Sequence, residues 1–174
     1  PPLIARVRPE TIPLTRSQYR VWAAHQLNPD SDAYHVGATL RFDGPLDVDA
    51  LRAAILDVCA RHEALRTRYP LDESGEPVQD ILDVDTFTAS IDLDEPIADD
   101  AFDLAAGPPV RLHLVEVTST SHHLELAIHH IAVDGWSLRP LIADLIDAYR
   151  GRSAGAPSEP SRPPVLQPAD YALW

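Results

Sequence analysis

Hydrophobic positions along the chain change period where residue 130 is reached. Leu124, Leu126, Ile128 and His130 alternate with His123, Glu125, Ala127 and His129, and a period of two predicts a strand over 122–130. Both faces carry apolar residues, so the strand is predicted to be an interior one. From residue 138 the spacing becomes helical, with Leu138, Leu141, Ile142, Leu145, Ile146 and Tyr149 on one face. Ser137 is then the expected N-cap, and Pro140 falls in the first turn, where its missing N–H has no intrahelical partner to lose. Between strand and helix lies His129-His130-Ile131-Ala132-Val133-Asp134-Gly135-Trp136-Ser137. Such a corner suits chemistry, because the strand end is rigid and the helix start offers unpaired N–H groups.

The same reading places the other elements. Thr15 and Gln18 form a capping box, with Leu14 and Tyr19 as a hydrophobic staple, and Tyr19, Trp22, Ala23 and Leu27 supply the buried stripe of the helix that follows. Val36, Ala38, Leu40 and Phe42 alternate along a strand over 34–43 that ends at Asp43-Gly44. Asp47 or Asp49 caps a helix whose inward residues are Leu51, Ile55, Val58, Cys59, His62 and Leu65. A turn is expected at 72–75. Acidic residues 83–100 read as a solvated connection with a weak strand over 86–93, and a strand over 110–117 joins the 122–130 strand as an antiparallel hairpin. Residues 1–13 are a proline-rich extended lead-in, and 151–168 a proline-, serine- and glycine-rich linker or surface loop.

Composition narrows the function. The 174 residues with 45% hydrophobic content suffice for one domain or one lobe of a larger one. The chain begins Pro1-Pro2 and holds no methionine, so it reads as a piece of a longer polypeptide. A net charge of −13 argues against nucleic acid as a partner, since phosphate binding needs a clustered basic surface. No apolar run spans a bilayer and no signal peptide is present, so membrane and secretory readings fall away. The single Cys59 fits a reducing cytoplasm and, on the apolar face of a helix, reads as packing rather than nucleophile. All 14 basic residues are arginine, which points to a GC-rich bacterial genome and excludes Schiff-base chemistry by this segment.

Adjacent strand residues face opposite ways, so His129 and His130 cannot both serve one centre, and one of them is expected to be structural. Asp134 can fix local geometry by pairing with an arginine, and Gly135 permits a backbone conformation or close approach that other residues resist. A metal site among His113, His122, His123, His129 and His130 is rejected. His122 and His130 lie about 26 Å apart at about 3.3 Å per residue, and no HExxH or CxxC spacing occurs.

These residues carry a resemblance. His129-His130-x-x-x-Asp134-Gly135 is similar to the HHxxxDG signature of the chloramphenicol-acetyltransferase-like superfamily, and Trp136-Ser137 narrows it to the condensation domains of nonribosomal peptide synthetases. Three further segments follow the family's order: residues 14–27 resemble its first motif, Arg61-His62-Glu63-Ala64-Leu65-Arg66-Thr67-Arg68-Tyr69 its second, RHExLRTxF, and Asp170-Tyr171-Ala172-Leu173-Trp174 its fourth. Tyr19 and Pro168 depart from the usual residues there. Phe102-Asp103-Leu104-Ala105-Ala106-Gly107-Pro108 resembles the FDLxxGP segment before a core strand.

The resemblance implies an α/β fold, a chloramphenicol-acetyltransferase-like α/β sandwich, with 1–174 as the N-terminal lobe of a two-lobed domain and the C-terminal lobe lying outside the chain. It implies amide formation between a donor acyl or peptidyl thioester and an acceptor aminoacyl thioester. Both travel on 4'-phosphopantetheine arms of upstream donor and downstream acceptor carrier proteins, with an adenylation domain adjacent and no cofactor or metal bound by the domain itself. His130 is implied to face the tunnel as base or positioner of the attacking amine. The Gly135 N–H is an oxyanion donor, His129 a supporting hydrogen-bonding group, and Asp134 a structural carboxylate paired with Arg66. Glu63 leans towards L-configured donor and acceptor, and the intact histidine pair argues against heterocyclisation. The alternatives are an epimerisation domain, which Trp136-Ser137 disfavours, and a silent recruitment or scaffold domain, which the presence of His130 disfavours. The lobe alone is expected to be inactive.

Overall fold

A computed structural model describes residues 2–5, 7–88, 92–98, 101–155 and 166–174. Three antiparallel strands form the main sheet in the order β1 (His35–Asp43), β5 (Ser121–His129), β4 (Val110–Thr118). The strand bearing the histidines is central, as its two-sided apolar pattern predicts. Val36 and Val110 both stand opposite Ile128, and Leu40 and Leu114 both stand opposite Leu124, so apolar side chains meet on one face. Helices α2 (Val48–Arg61) and α4 (Leu138–Ser153) cover that face with Leu51, Ala54, Ile55, Val58, Cys59, Leu141 and Leu145. Asp47 caps α2 by accepting the Ala50 N–H at 2.9 Å. At the far end of β1, Gly44 adopts φ 105, a turn conformation that a side chain would resist.

A second, smaller core lies at the other end. Tyr69, Phe102, Leu104 and Ile131 pack with Leu14, Val21, Trp22 and Ala132 beneath α1 (Arg16–Leu27). The Thr15 and Gln18 capping box is present, with Gln18 N–H to Thr15 Oγ1 at 3.1 Å and Thr15 N–H to Gln18 Oε1 at 2.9 Å. The buried stripe is not the expected one. Tyr19 is 47% and Leu27 88% exposed, while Gln18 and His25 are buried with Val21 and Trp22 half-buried between them. Polar residues at i and i+7 thus take the inward face, because each finds a partner there.

Other expectations need correction. Val84–Thr88 is a short helix, α3, not a strand, and Phe87 and Leu93 are buried core residues, so the acidic connection is tethered rather than solvated throughout. Residues 89–91 and 99–100 lie outside the described residues. Gly151–Ser153 complete α4 rather than starting a linker, and Pro168 opens helix α5 (Pro168–Leu173). The span 156–165 of that proposed loop is outside the described residues. His62 does not point into the core but ends α2, its Nε2 2.6 Å from Asp144 on α4.

The lead-in is docked by specific contacts. Gln79 N–H donates to the Ile12 carbonyl at 2.8 Å. Arg8 grips Asp170 of α5 with Nε and Nη2 at 3.3 and 3.2 Å and donates to Glu63 at 2.7 Å. Glu63 heads a 3₁₀ turn, Glu63–Arg66, which leads into β2 (Thr67–Arg68) paired with β3 (Asp80–Ile81). Gln167 completes the docking of α5, accepting the Glu63 N–H at 3.3 Å and donating to the Arg61 carbonyl at 2.9 Å.

Candidate active site

At the end of β5 the two histidines separate, as strand geometry requires. His129 is fully buried. Its Nδ1 accepts the N–H of Ile131 at 3.2 Å, so the ring is neutral with its proton on Nε2, which has no hydrogen-bond partner among the described residues. Aromatic rings enclose it: His25 edge-on at 5.2 Å between centroids, Phe102 at 5.9 Å, Tyr34 at 6.1 Å and His35 at 6.2 Å. Burial pushes the His129 pKa down to about 3, and the neighbouring imidazoles of His25, His35 and His130 push the same way.

His130 is exposed, and its backbone is fixed on both sides. Its N–H donates to the Tyr34 carbonyl at 2.7 Å, and Ala132 N–H donates to the His129 carbonyl at 3.0 Å. The side chain lines an open cleft of about 490 Å³. The α1 start (Thr15, Ser17, Gln18, Val21), Ala64 of the second motif, and Pro168 and Tyr171 of α5 supply the other walls. Three segments distant in sequence therefore converge on one imidazole. Apart from His130 and Asp134, none of the described residues lining it carries a carboxylate, guanidinium or imidazole.

Asp134 does not pair with Arg66. It is exposed, and its Oδ1 accepts the N–H groups of Trp136 and Ser137 at 3.0 and 2.8 Å and the Ser137 hydroxyl at 2.8 Å. These donors, the Ser137 side chain first, hold the carboxyl below its ordinary pKa. Arg66 instead donates to the Leu82 carbonyl and lies 3.7 Å from Glu63. An aspartate at a turn satisfies itself from local N–H groups, so it needs no distant cation. For the same reason the Ser137 side chain makes no capping bond to α4, and its hydroxyl serves Asp134.

Gly135 has no left-handed φ, and a Cβ there would meet nothing within 4 Å, so the backbone of this chain does not require glycine. Its N–H has no acceptor among the described residues. Trp136, 90% exposed, stands beside it. Cys59 is buried against Ile55, Val58 and Leu65, and burial raises its thiol pKa to about 12, so it packs.

Sequence reasoning missed His25 as a neighbour of His129 and missed Pro168 and Tyr171 as cleft walls. A polar residue seven positions after a buried Gln18 was the available signal for the first.

The match to the condensation-domain family model extends over residues 9–174. CymA of Salinispora arenicola, described as a probable non-canonical nonribosomal peptide synthetase, is 43% identical over 96% of this chain, and the dimodular nonribosomal peptide synthase of Bacillus subtilis 40% identical over 100% of it. Those alignments span 2% and 8% of the two synthetases. Among solved structures, the X-domain from teicoplanin biosynthesis has a TM-score of 0.83 and 36% identity over 100% of this chain and 40% of its own. That X-domain is also solved in a complex with OxyB. The first condensation domain of the CDA synthetase has a TM-score of 0.69 and 26% identity over 84% of this chain and 40% of its own. Among the described residues, no helix is long and apolar enough to cross a membrane.

Proposed function

The chain belongs to the condensation-domain family of nonribosomal peptide synthetases, of which it is the N-terminal portion, and from that premise we propose that it forms the histidine-bearing wall of an amide-forming site. The acceptor's amine attacks the donor's thioester carbonyl. The C–N bond forms, the C–S bond breaks, and the donor carrier's phosphopantetheine thiol leaves. His130 hydrogen-bonds the attacking amine, takes its proton and returns it to the departing sulfur, so that a thiol leaves and the ring ends neutral. The observation that carries this reading is the division of labour in the pair, one ring sealed and neutral, the other exposed on a cleft of about 490 Å³.

An imidazole titrates near neutral pH, so it can both hold an amine and accept its proton. Holding amine and thioester together contributes about 7–11 kcal/mol by proximity. The free N–H of Gly135 is suited to the developing oxyanion. His129 acts through the backbone, and Asp134 and Ser137 set the turn. Arg66 supports the second motif from the Leu82 side. Upstream and downstream carrier proteins deliver the two arms, an adenylation domain adjoins the module, and the compartment is the bacterial cytoplasm. The chain spans 40% of each solved relative above, so turnover belongs to the intact domain. The test is condensation by that domain on loaded carriers. Loss of product in His130→Ala supports the assignment, and unchanged product formation overturns it.

A second reading draws on the greater likeness to the teicoplanin X-domain, which forms a complex with OxyB. On that reading the intact domain recruits a partner enzyme and forms no amide. Condensation that depends on His130 would eliminate it.

A further inference from the structure

We propose that His25, at the C-terminal end of α1, is a positioning residue for His130, acting through His129. This deepens the reading above and rests on His130 being the reacting imidazole. The chain of contact is short. His25 presents its ring edge-on to His129 at 5.2 Å, and both side chains are buried. His129 Nδ1 accepts the N–H of Ile131, a bond that straddles residue 130. Together with the Ala132 N–H on the His129 carbonyl and the His130 N–H on the Tyr34 carbonyl, it fixes the backbone from which the His130 side chain leaves.

The Ile131 bond exists only while Nδ1 is unprotonated. A proton there would set a donor against a donor, and the turn would have to open. The surroundings oppose that proton from every side. Tyr34 and His35 approach from the start of β1, Phe102 from the loop before β4, His130 from the adjoining residue, and His25 from α1. Among the described residues Asp134 acts on His130, and the acidic group acting on the buried pair is Asp103. It acts on His25, favouring that ring's protonation, whereas burial and His35 oppose it. Desolvation is the largest cause of His129's low basicity and the His25 imidazole is the next, so His25 acts by keeping water out with a flat ring and by opposing a second proton beside its own. A small side chain at residue 25 would let water in, allow His129 to protonate at higher pH and release the turn. The first sequence motif is thereby coupled to the histidine pair by packing rather than by direct contact with substrate.

The experiment uses the intact condensation domain with ¹⁵N-labelled histidines. Long-range ¹⁵N–¹H spectra read the His129 tautomer and its protonation midpoint, assigned by single histidine replacements, alongside the pH profile of kcat. The wild type should show an Nε2–H ring at neutral pH. His25→Ala should raise the His129 midpoint by at least one pH unit and move the acid limb of kcat upward with it. His25→Phe, which keeps a flat ring in place but not the imidazole, should reverse most of both shifts. A proton on Nδ1 of His129 in the wild type at neutral pH would overturn the proposal without any variant. So would a His129 midpoint unmoved in a folded His25→Ala domain, or a midpoint raised as far by His25→Phe. Failure of the catalytic reading shows separately, as full condensation by His130→Ala, and leaves the spectroscopic result standing.

Discussion

The two faces of β5 carry two kinds of core. On one, Leu124, Leu126 and Ile128 meet α2 and α4 in an apolar layer; on the other, His129 sits among His25, His35, Tyr34 and Phe102. The apolar layer derives its stability from area and fit, and each residue in it is replaceable by another of similar volume. The imidazole layer is different in kind, because a polar group in a dry setting is stable in only one protonation state and one orientation. Proximity to the cleft, rather than distance from solvent, distinguishes the second core.

The comparison breaks most sharply at the pair itself. In the intact domain His130→Ala should lower condensation by about 10²–10⁴-fold, the range for loss of a positioned acid or base, with the urea midpoint almost unchanged. A large loss of stability instead would mean that His130 belongs to the packed layer. On the apolar face, Leu124→Ala should cost about 2–5 kcal/mol in chemical denaturation and leave the shape of the pH profile untouched.

Acid should act through the imidazole layer. His129 has a folded pKa of about 3, below the ordinary 6.5, so the unfolded chain takes up the proton first. Its contribution is complete above about pH 6.5 and falls away as the pH drops towards 3, by about 1.4 kcal/mol per pH unit at the steepest. Burial lowers His25 as well, which adds loss in the same direction. Denaturation at pH 7 and pH 5 checks this, and equal midpoints would show that the ring is not held neutral. Smaller still, Thr15→Ala should cost about 1 kcal/mol through the α1 capping box, measured the same way. Smallest is the coupling between Arg66 and Asp134. A double-mutant cycle with alanine should be additive within about 0.5 kcal/mol, and a larger coupling would restore the ion pair that the family resemblance implied.

Much of the fold is legible in the sequence. Alternation at 122–130 placed β5 in the middle of its sheet, and turn residues at Asp43-Gly44 and 72–75 marked real reversals, with Gly75 at φ 86. The four motif segments were read in order, and the strand period separated His129 from His130. Less legible was anything decided by a partner far along the chain. Tyr19 and Leu27 look like core by hydrophobicity, yet the inward face of α1 went to Gln18 and His25, because Tyr69, Gln79 and His129 wait there to receive them. The family resemblance implied a pair between Arg66 and Asp134, but local acceptors and donors reached each of them first.

What the sequence determined alone was the periodicity, the caps, the order of motifs and the opposition of two neighbouring side chains, all consequences of local backbone geometry. Which histidine would be sealed and which left open was decided only by tertiary structure. That choice depends on whether α1, β1 and the loop before β4 close over one side of the strand end, and desolvation is a property of what surrounds a ring.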